Sequence, residues 1–230
     1  MEIVKRHFEE EAEEFDRIIV ALIPDYAQMV KALVAALPFD SEAVIKVLDL
    51  GCGTGTVALS ILRAFPNAHL TCLDLAENMI AMARAKLRTY PDVRYVLDDF
   101  KDFSGDYDAI VSSLALHHIQ TDDAKQSFYR RVYDALRPGG AFYNGDVVLA
   151  SSDFLQDIYM EQWRAFMSRS VPETEIETKW ISKYYAEDHP AKLTDQLVWL
   201  TDIGFVGVDV IWKRYNFAVY GGVKPVKATD

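Results

Sequence analysis

The chain has 230 residues, half of them hydrophobic, which is enough for one substantial core and short for two full domains. A net charge of −11 argues against a broad surface that tracks phosphates, so nucleic acid is not an expected partner. No run approaches the roughly 18 apolar residues of a membrane span, and the acidic N-terminus lacks a signal peptide's basic and long apolar regions, so a cytoplasmic protein with no membrane partner is expected.

From Phe8 to Leu37 apolar residues recur at helical spacing, with a break at Ile23-Pro24, so two helices are expected. Glu9, Glu10, Glu11, Glu13 and Glu14 form a charge run that reads as a solvated face. Then strands and helices alternate. Strands are expected at Val44 to Leu50, Ala68 to Leu73, Val93 to Leu97, Tyr107 to Ser112 and Ala141 to Leu149. Helices are expected at about Thr56 to Phe65, Met79 to Leu87, and Asp122 to Leu136, the last ended by Arg137-Pro138-Gly139-Gly140. Such alternation implies a mostly parallel sheet with helices on both faces. Ser151 to Asp188 is polar, aromatic and too long for a plain loop, so it is expected to be a helical insertion. Leu193 to Ile203 reads as a helix capped by Gly204. Phe205 to Trp212 and Tyr215 to Tyr220 read as an antiparallel hairpin turning at Lys213-Arg214.

The expectation is one α/β domain, 1–230, with a Rossmann-like sheet of seven strands. Residues 1–42 would be an N-terminal helical lid, 43–150 a ligand-binding core, 151–189 the insertion, and 190–230 the final helix and hairpin. Cys52 and Cys72 lack the spacing of a zinc site or disulfide framework and read as reduced structural thiols; no spacing of ligand residues suggests a metal.

Gly51, Gly53 and Gly55 place flexible backbone at the carboxyl end of the first strand, where ligands of open α/β sheets bind. A pyrophosphate loop of the Gly-x-Gly-x-x-Gly type would have its third glycine one residue later. Asp74, 19 residues after Gly55, ends the second strand, where a carboxylate can accept from both hydroxyls of a ribose or cap the next helix. His117 and His118 follow the fourth strand, and imidazoles there invite a general-base role, since they titrate near neutrality. A pocket-lining role and a structural one remain open for both.

The string Asp49-Leu50-Gly51-Cys52-Gly53-Thr54-Gly55 resembles the first motif of class I S-adenosylmethionine-dependent methyltransferases, and the resemblance runs from Val44 to about Leu149. It implies that the loop, from Asp49 through Gly55 with Cys52 and Thr54, meets the amino-acid end of S-adenosylmethionine. It further implies that Asp74 holds the ribose, and that Leu75, Met79, Asp98, Asp99 and Phe100 surround the adenine, a core role for Met79 being an alternative. Ser113 would lie beside the sulfonium. Ala76 replaces the family's usual small polar helix cap, and Asp98 stands where a glycine is common.

The segment Ser112 to Ile119 lacks the Asn/Asp-Pro-Pro-aromatic pattern of enzymes that methylate exocyclic base amines, so a small-molecule acceptor is expected. Tyr26, after Ile23-Pro24-Asp25, matches lids of related enzymes and is a candidate acceptor-pocket residue, with core packing as the alternative. The final third, with Trp199-Leu200, Gly204-Phe205, Trp212 and Asn216-Phe217, is similar to the carboxy-S-adenosylmethionine synthase subgroup, which serves tRNA uridine modification. That subgroup has an arginine where His189 stands, which favours ordinary S-adenosylmethionine. A catalytically silent cofactor-binding module and a homo-oligomer both remain open.

Overall fold

The computed structural model describes residues 14–99 and 103–226. The expected helical residues 8–13, with Glu9, Glu10, Glu11 and Glu13, and also Phe100, lie outside the described residues.

Two helices, α1 (Phe15–Leu22) and α2 (Tyr26–Ala35), lead in. They bend by 96° at the Ile23-Pro24 break, where Asp25 takes a left-handed φ of 55°. The sheet contains β1 (Lys46–Leu50), β2 (His69–Asp74), β3 (Arg94–Leu97), β4 (Tyr107–Ser113), β5 (Leu136–Val147), β6 (Val206–Arg214) and β7 (Phe217–Val223). Helices α3 (Thr56–Ala64), α4 (Glu77–Lys86), α5 (Asp122–Ala135) and α8 (Leu193–Ile203) connect them. The insertion forms α6 (Asp153–Met167) and α7, a helix over 173–187 whose middle, Ile176–Ile181, is wound as a π-helix. Among the described residues no single helix is long and apolar enough to cross a membrane.

Strand order is β3-β2-β1-β4-β5-β7-β6, with the β5–β7 and β7–β6 pairs antiparallel and the other pairs parallel. Successive strand residues point to opposite faces, so Val47, Val111, Tyr143 and Val219 pack in one apolar layer and Leu48, Ile110, Phe142 and Tyr220 in the other. The first layer is covered by α1, α2, α3 and the insertion, the second by α5 and α8. Trp163 of α6 ties the insertion down: its indole N–H donates to the Leu22 carbonyl at 2.7 Å, answering one of the carbonyls left open at the end of α1.

Three boundaries differ notably from expectation. Arg137-Pro138-Gly139-Gly140 does stop α5, but the backbone continues directly as strand: Leu136 pairs with Tyr107, and Gly139 and Gly140 exchange hydrogen bonds with Lys224 at 2.8 Å. The proline is tolerated because it sits near the strand's start, beside a register shift. At its far end β5 stops at Val147, and Leu149 keeps only an isolated parallel bridge to Lys192. The hairpin turns at Tyr215-Asn216, two residues later than Lys213-Arg214, with Arg214 and Phe217 as the last pair. Asn is a turn former and Tyr215 adopts φ 49°, while charged Lys213 and Arg214 suit an exposed edge strand.

Candidate functional site

The strand order reverses between β1 and β4, the switch point at which open α/β sheets bind ligands beyond the carboxyl ends of their strands. The glycine loop leaves β1 there. Gly51, Gly53 and Gly55 all have positive φ (67°, 52° and 82°), and a Cβ on Gly51 would stand 2.4 Å from that of Ala115. A Cβ on Gly53 would meet nothing within 4 Å, because that position faces open space. The space is a cavity of about 50 Å³, whose wall includes Asp49, Gly51, Cys52, Gly53, Thr54, Asp74, Leu75, Met79 and Ser113.

Asp74 organises the loop. Its Oδ2 accepts from the Gly53 N–H at 2.8 Å and its Oδ1 from the Ala76 N–H at 2.9 Å, so it ties the loop to the residue that precedes α4. Asp49 is buried, and neither of its oxygens makes a hydrogen bond of ordinary geometry among the described residues, the Ala58 amide being a weak donor nearby. Burial, and then the nearby Asp74 carboxylate, push its pKa up to about 7; the Ala58 amide offsets this only in part. The Cys52 thiol faces Cys72, and that contact together with burial pushes it up, as for an inert structural thiol.

The remaining expected residues are less concentrated. Gly55 lies just behind the loop as the left-handed N-cap of α3. Asp98 and Asp99 sit beside Asp74 at the next strand end, outside the cavity wall; the Asp98 N–H donates to the Asp74 carbonyl at 3.0 Å, and Asp98 Oδ1 accepts from the Asp99 N–H at 2.8 Å. Tyr26, expected at the acceptor pocket, is placed in the wall of this first cavity near Ser113 and Asp49, where burial raises its hydroxyl pKa. His189 is exposed, and its backbone N–H donates to the His117 carbonyl at 2.9 Å.

A second cavity, of about 130 Å³ and mainly apolar, adjoins the first. Ile18, Ile19 and Leu22 of α1 line it, as do Trp163, Trp180 and Tyr184 of the insertion. Phe15, Leu114 and His118 belong to both walls. Leu114 has φ 52°, rare for a side-chain-bearing residue, and its N–H is held by the Gly145 carbonyl at 2.9 Å.

His117 and His118 form a 3₁₀ turn, Leu116–His118, at the polar end of this cavity. His117 Nδ1 lies 2.6 Å from Asp146 Oδ1, and the other Asp146 oxygen accepts from the His117 backbone N–H at 3.1 Å. Burial alone would lower the His117 pKa; the Asp146 and Asp188 carboxylates outweigh it and push it up to about 9. His118 is driven below its usual range by burial and by the neighbouring His117. Behind Asp146, Asn144 donates to it at 3.3 Å and to the Tyr220 hydroxyl at 2.9 Å, extending a buried polar network to Gln196 and Tyr129.

Sequence reasoning missed Asp146 and Asp188, which reach His117 from β5 and from the end of α7. It also missed a latch between α1 and the glycine loop. Thr54 donates to Asp16 Oδ1 at 2.6 Å, and Lys86 reaches Asp16 Oδ2 at 2.7 Å and the hydroxyls of Thr54 and Thr56 at 2.8 Å. These contacts outweigh the desolvation of Asp16 and hold its pKa below the usual value.

Sheet order, a positive-φ glycine loop at the switch point and an acidic residue at the end of β2 define a nucleoside-cofactor-binding α/β domain. Comparison with known proteins says which. Residues 47–140 match the family model described as a methyltransferase domain. Malonyl-[acyl-carrier protein] O-methyltransferase 2 of Ilyobacter polytropus is 29% identical over 62% of the chain and 52% of its own length. The carboxy-S-adenosyl-L-methionine synthase of Shewanella piezotolerans is 24% identical over 91% of the chain and 88% of its own length. The chain spans about half the length of the malonyl-[acyl-carrier protein] O-methyltransferases it matches.

Among solved structures, DhpI in complex with SAH superposes with a TM-score of 0.65 at 19% identity, covering 96% and 95% of the two chains. A chain of the complex between the Haloferax volcanii Trm112 methyltransferase activator and the putative methyltransferase gives 0.66 at 18%, covering 95% and 97%. Both likenesses are of fold. Residues 47–140 thus match a methyltransferase domain, and the cofactor that goes with this match and with the DhpI–SAH likeness is S-adenosylmethionine.

Proposed function

We propose that the chain transfers the methyl group of S-adenosylmethionine to a small acceptor with a largely apolar body. The observation that carries this reading is the shared wall: the glycine-loop cavity and the apolar cavity meet at Phe15, Leu114 and His118.

The residues lining the first cavity have the chemistry that the cofactor needs. The buried Asp49 carboxylate, with no well-formed hydrogen bond, suits an ammonium group, and the open space above Gly53 lets backbone approach a ligand closely. Asp74, at the end of β2, would hold the ribose, with Leu75 and Met79 as the apolar surface for adenine and Asp98 and Asp99 at its outer edge. Bound there, the cofactor supplies a methyl group already activated by its sulfonium, so the protein's tasks are alignment and exclusion of water. Residues 14–42 and 151–189 act as the lid over the acceptor. Phe15 and Leu114 confine the two reactants at the shared wall. The bond formed joins the acceptor atom to the methyl carbon, and the electron pair of the broken bond returns to sulfur.

Similarity over nearly the whole chain to carboxy-S-adenosyl-L-methionine synthases favours a second reading, modification of the cofactor itself. His189, at the position of that subgroup's arginine, is exposed and lies outside both cavity walls, which favours methyl transfer. The test is incubation with methyl-deuterated S-adenosylmethionine and cell extract, followed by mass spectrometry. Deuterated small molecules and S-adenosylhomocysteine that appear only with extract support methyl transfer. A cofactor recovered heavier by a carboxylate supports the second reading, and no product in any extract overturns both.

A further inference from the structure

We propose that His117, His118 and Asp188 form a divalent transition-metal site in the wall of the acceptor cavity.

Asp188 follows α7, and the adjacent backbone contact from His189 to the His117 carbonyl, at 2.9 Å, draws it to the 3₁₀ turn. Asp146 fixes the first ligand. Its carboxylate accepts from the backbone N–H groups of His117 and Val147 as well as lying 2.6 Å from His117 Nδ1. A carboxylate accepts, so Nδ1 keeps its proton, and a metal ion that displaces the proton from Nε2 takes up the lone pair on the other side. This carboxylate–histidine pairing is how proteins orient imidazole ligands of metals.

Nε2 of His117 lies 3.6 Å from Asp188 Oδ1, and Nδ1 of His118 lies 3.6 Å from the same oxygen. The three ligand atoms fall within 4.8 Å of one another. At 3.6 Å neither contact is a hydrogen bond. Two ligands held at 2.0–2.1 Å in a tetrahedron stand about 3.4 Å apart, so a small inward movement closes the shell. Both histidines are buried and Asp188 is 17% exposed, which keeps water from competing freely. Two imidazoles and one carboxylate suit Zn²⁺, Co²⁺ or Fe²⁺ better than Mg²⁺ or Ca²⁺. Three protein ligands leave a position facing the cavity. The group that completes it is an acceptor oxygen, hydroxyl or carboxylate. A coordinated hydroxyl releases its proton to solvent more readily and attacks the methyl carbon as the oxyanion. That use rests on the methyltransferase reading; metal binding does not.

Protein stripped with chelator is titrated with Co²⁺ and followed by its visible ligand-field bands, with S-adenosylmethionine affinity measured in parallel. One Co²⁺ per chain in a tetrahedral environment, displaced by Zn²⁺, is expected. Asp188→Ala and His117→Ala should each abolish the bands. Asp146→Asn should weaken binding about 10- to 100-fold, and His189→Gln should leave it unchanged. Cofactor affinity unaltered in Asp188→Ala shows that this variant is folded. Absent bands, or bands that persist in both alanine variants, overturn the site and leave only a proton on His117 between its two carboxylates. Metal binding without methyl transfer in any extract retires the methyltransferase reading and keeps the site; transfer indifferent to chelation, without Co²⁺ bands, does the reverse.

Discussion

Asp49 is a carboxylate held in the protein interior at a thermodynamic cost, and replacing it with asparagine should reveal that cost through pH. Its pKa stands at about 7 in the folded chain against a reference of 3.8. A folded-state pKa above the unfolded one means that stability is fullest below about pH 4 and declines as pH rises toward 7. At 1.36 kcal/mol per unit the whole effect is about 4 kcal/mol, of which about 2 kcal/mol falls between roughly pH 5.5 and 8.5. A buried amide without partners costs about 1–3 kcal/mol of its own, independent of pH. The diagnostic is therefore the pH dependence of the stability gap between wild type and Asp49→Asn, measured by urea unfolding without cofactor. That gap should move by about 2 kcal/mol in favour of the variant at the higher pH. The same carboxylate facing the ammonium of S-adenosylmethionine makes wild-type affinity tighten by up to about tenfold per pH unit below 7 and level off above it; the variant should bind weakly at every pH. A stability gap that stays constant to within about 0.5 kcal/mol refutes the assignment of a raised pKa to Asp49.

Gly51→Ala forces a Cβ to 2.4 Å from that of Ala115 at a φ of 67° and should lower the melting temperature sharply, whereas Gly53→Ala, with no protein atom within 4 Å, should cost only about 1 kcal/mol of stability while blocking cofactor binding in calorimetric titration. Asp74→Ala removes the acceptor for the Gly53 and Ala76 amides and the proposed ribose contact. It should weaken cofactor binding by about tenfold or more and destabilise by about 2 kcal/mol, with the fold retained by circular dichroism. Trp163→Ala deletes the bond to the Leu22 carbonyl and the edge contacts to Tyr184 and Phe217. It should cost about 3–5 kcal/mol and, once an acceptor is known, raise its KM while cofactor affinity measured below the melting temperature holds.

What the sequence disclosed is what local chemistry fixes. Glycines at 51, 53 and 55 are needed where φ is positive, and short branched runs between helical stretches can bury both faces only in a parallel sheet. The turn at Arg137-Pro138-Gly139-Gly140 was legible as a helix stop but not as strand, because the pairing comes from Tyr107 and Lys224, far off in the chain. The same limit hid the partners of the histidines. His117 and His118 stand out beside a strand end, but Asp146 arrives from the neighbouring strand and Asp188 from the end of an insertion, and no spacing rule joins them.

The latch shows what such distant contacts can do. Asp16 belongs to α1, which also lines the acceptor cavity, and Thr54 belongs to the glycine loop; Lys86 of α4 holds both. Any displacement of Thr54 by cofactor is therefore felt by the helix over the acceptor, and by reciprocity an acceptor that settles α1 favours one arrangement of the loop. Sequence composition reads such a chain as a binding core with appended helices. The Asp16–Thr54–Lys86 contacts tie the first of those helices to the cofactor site itself.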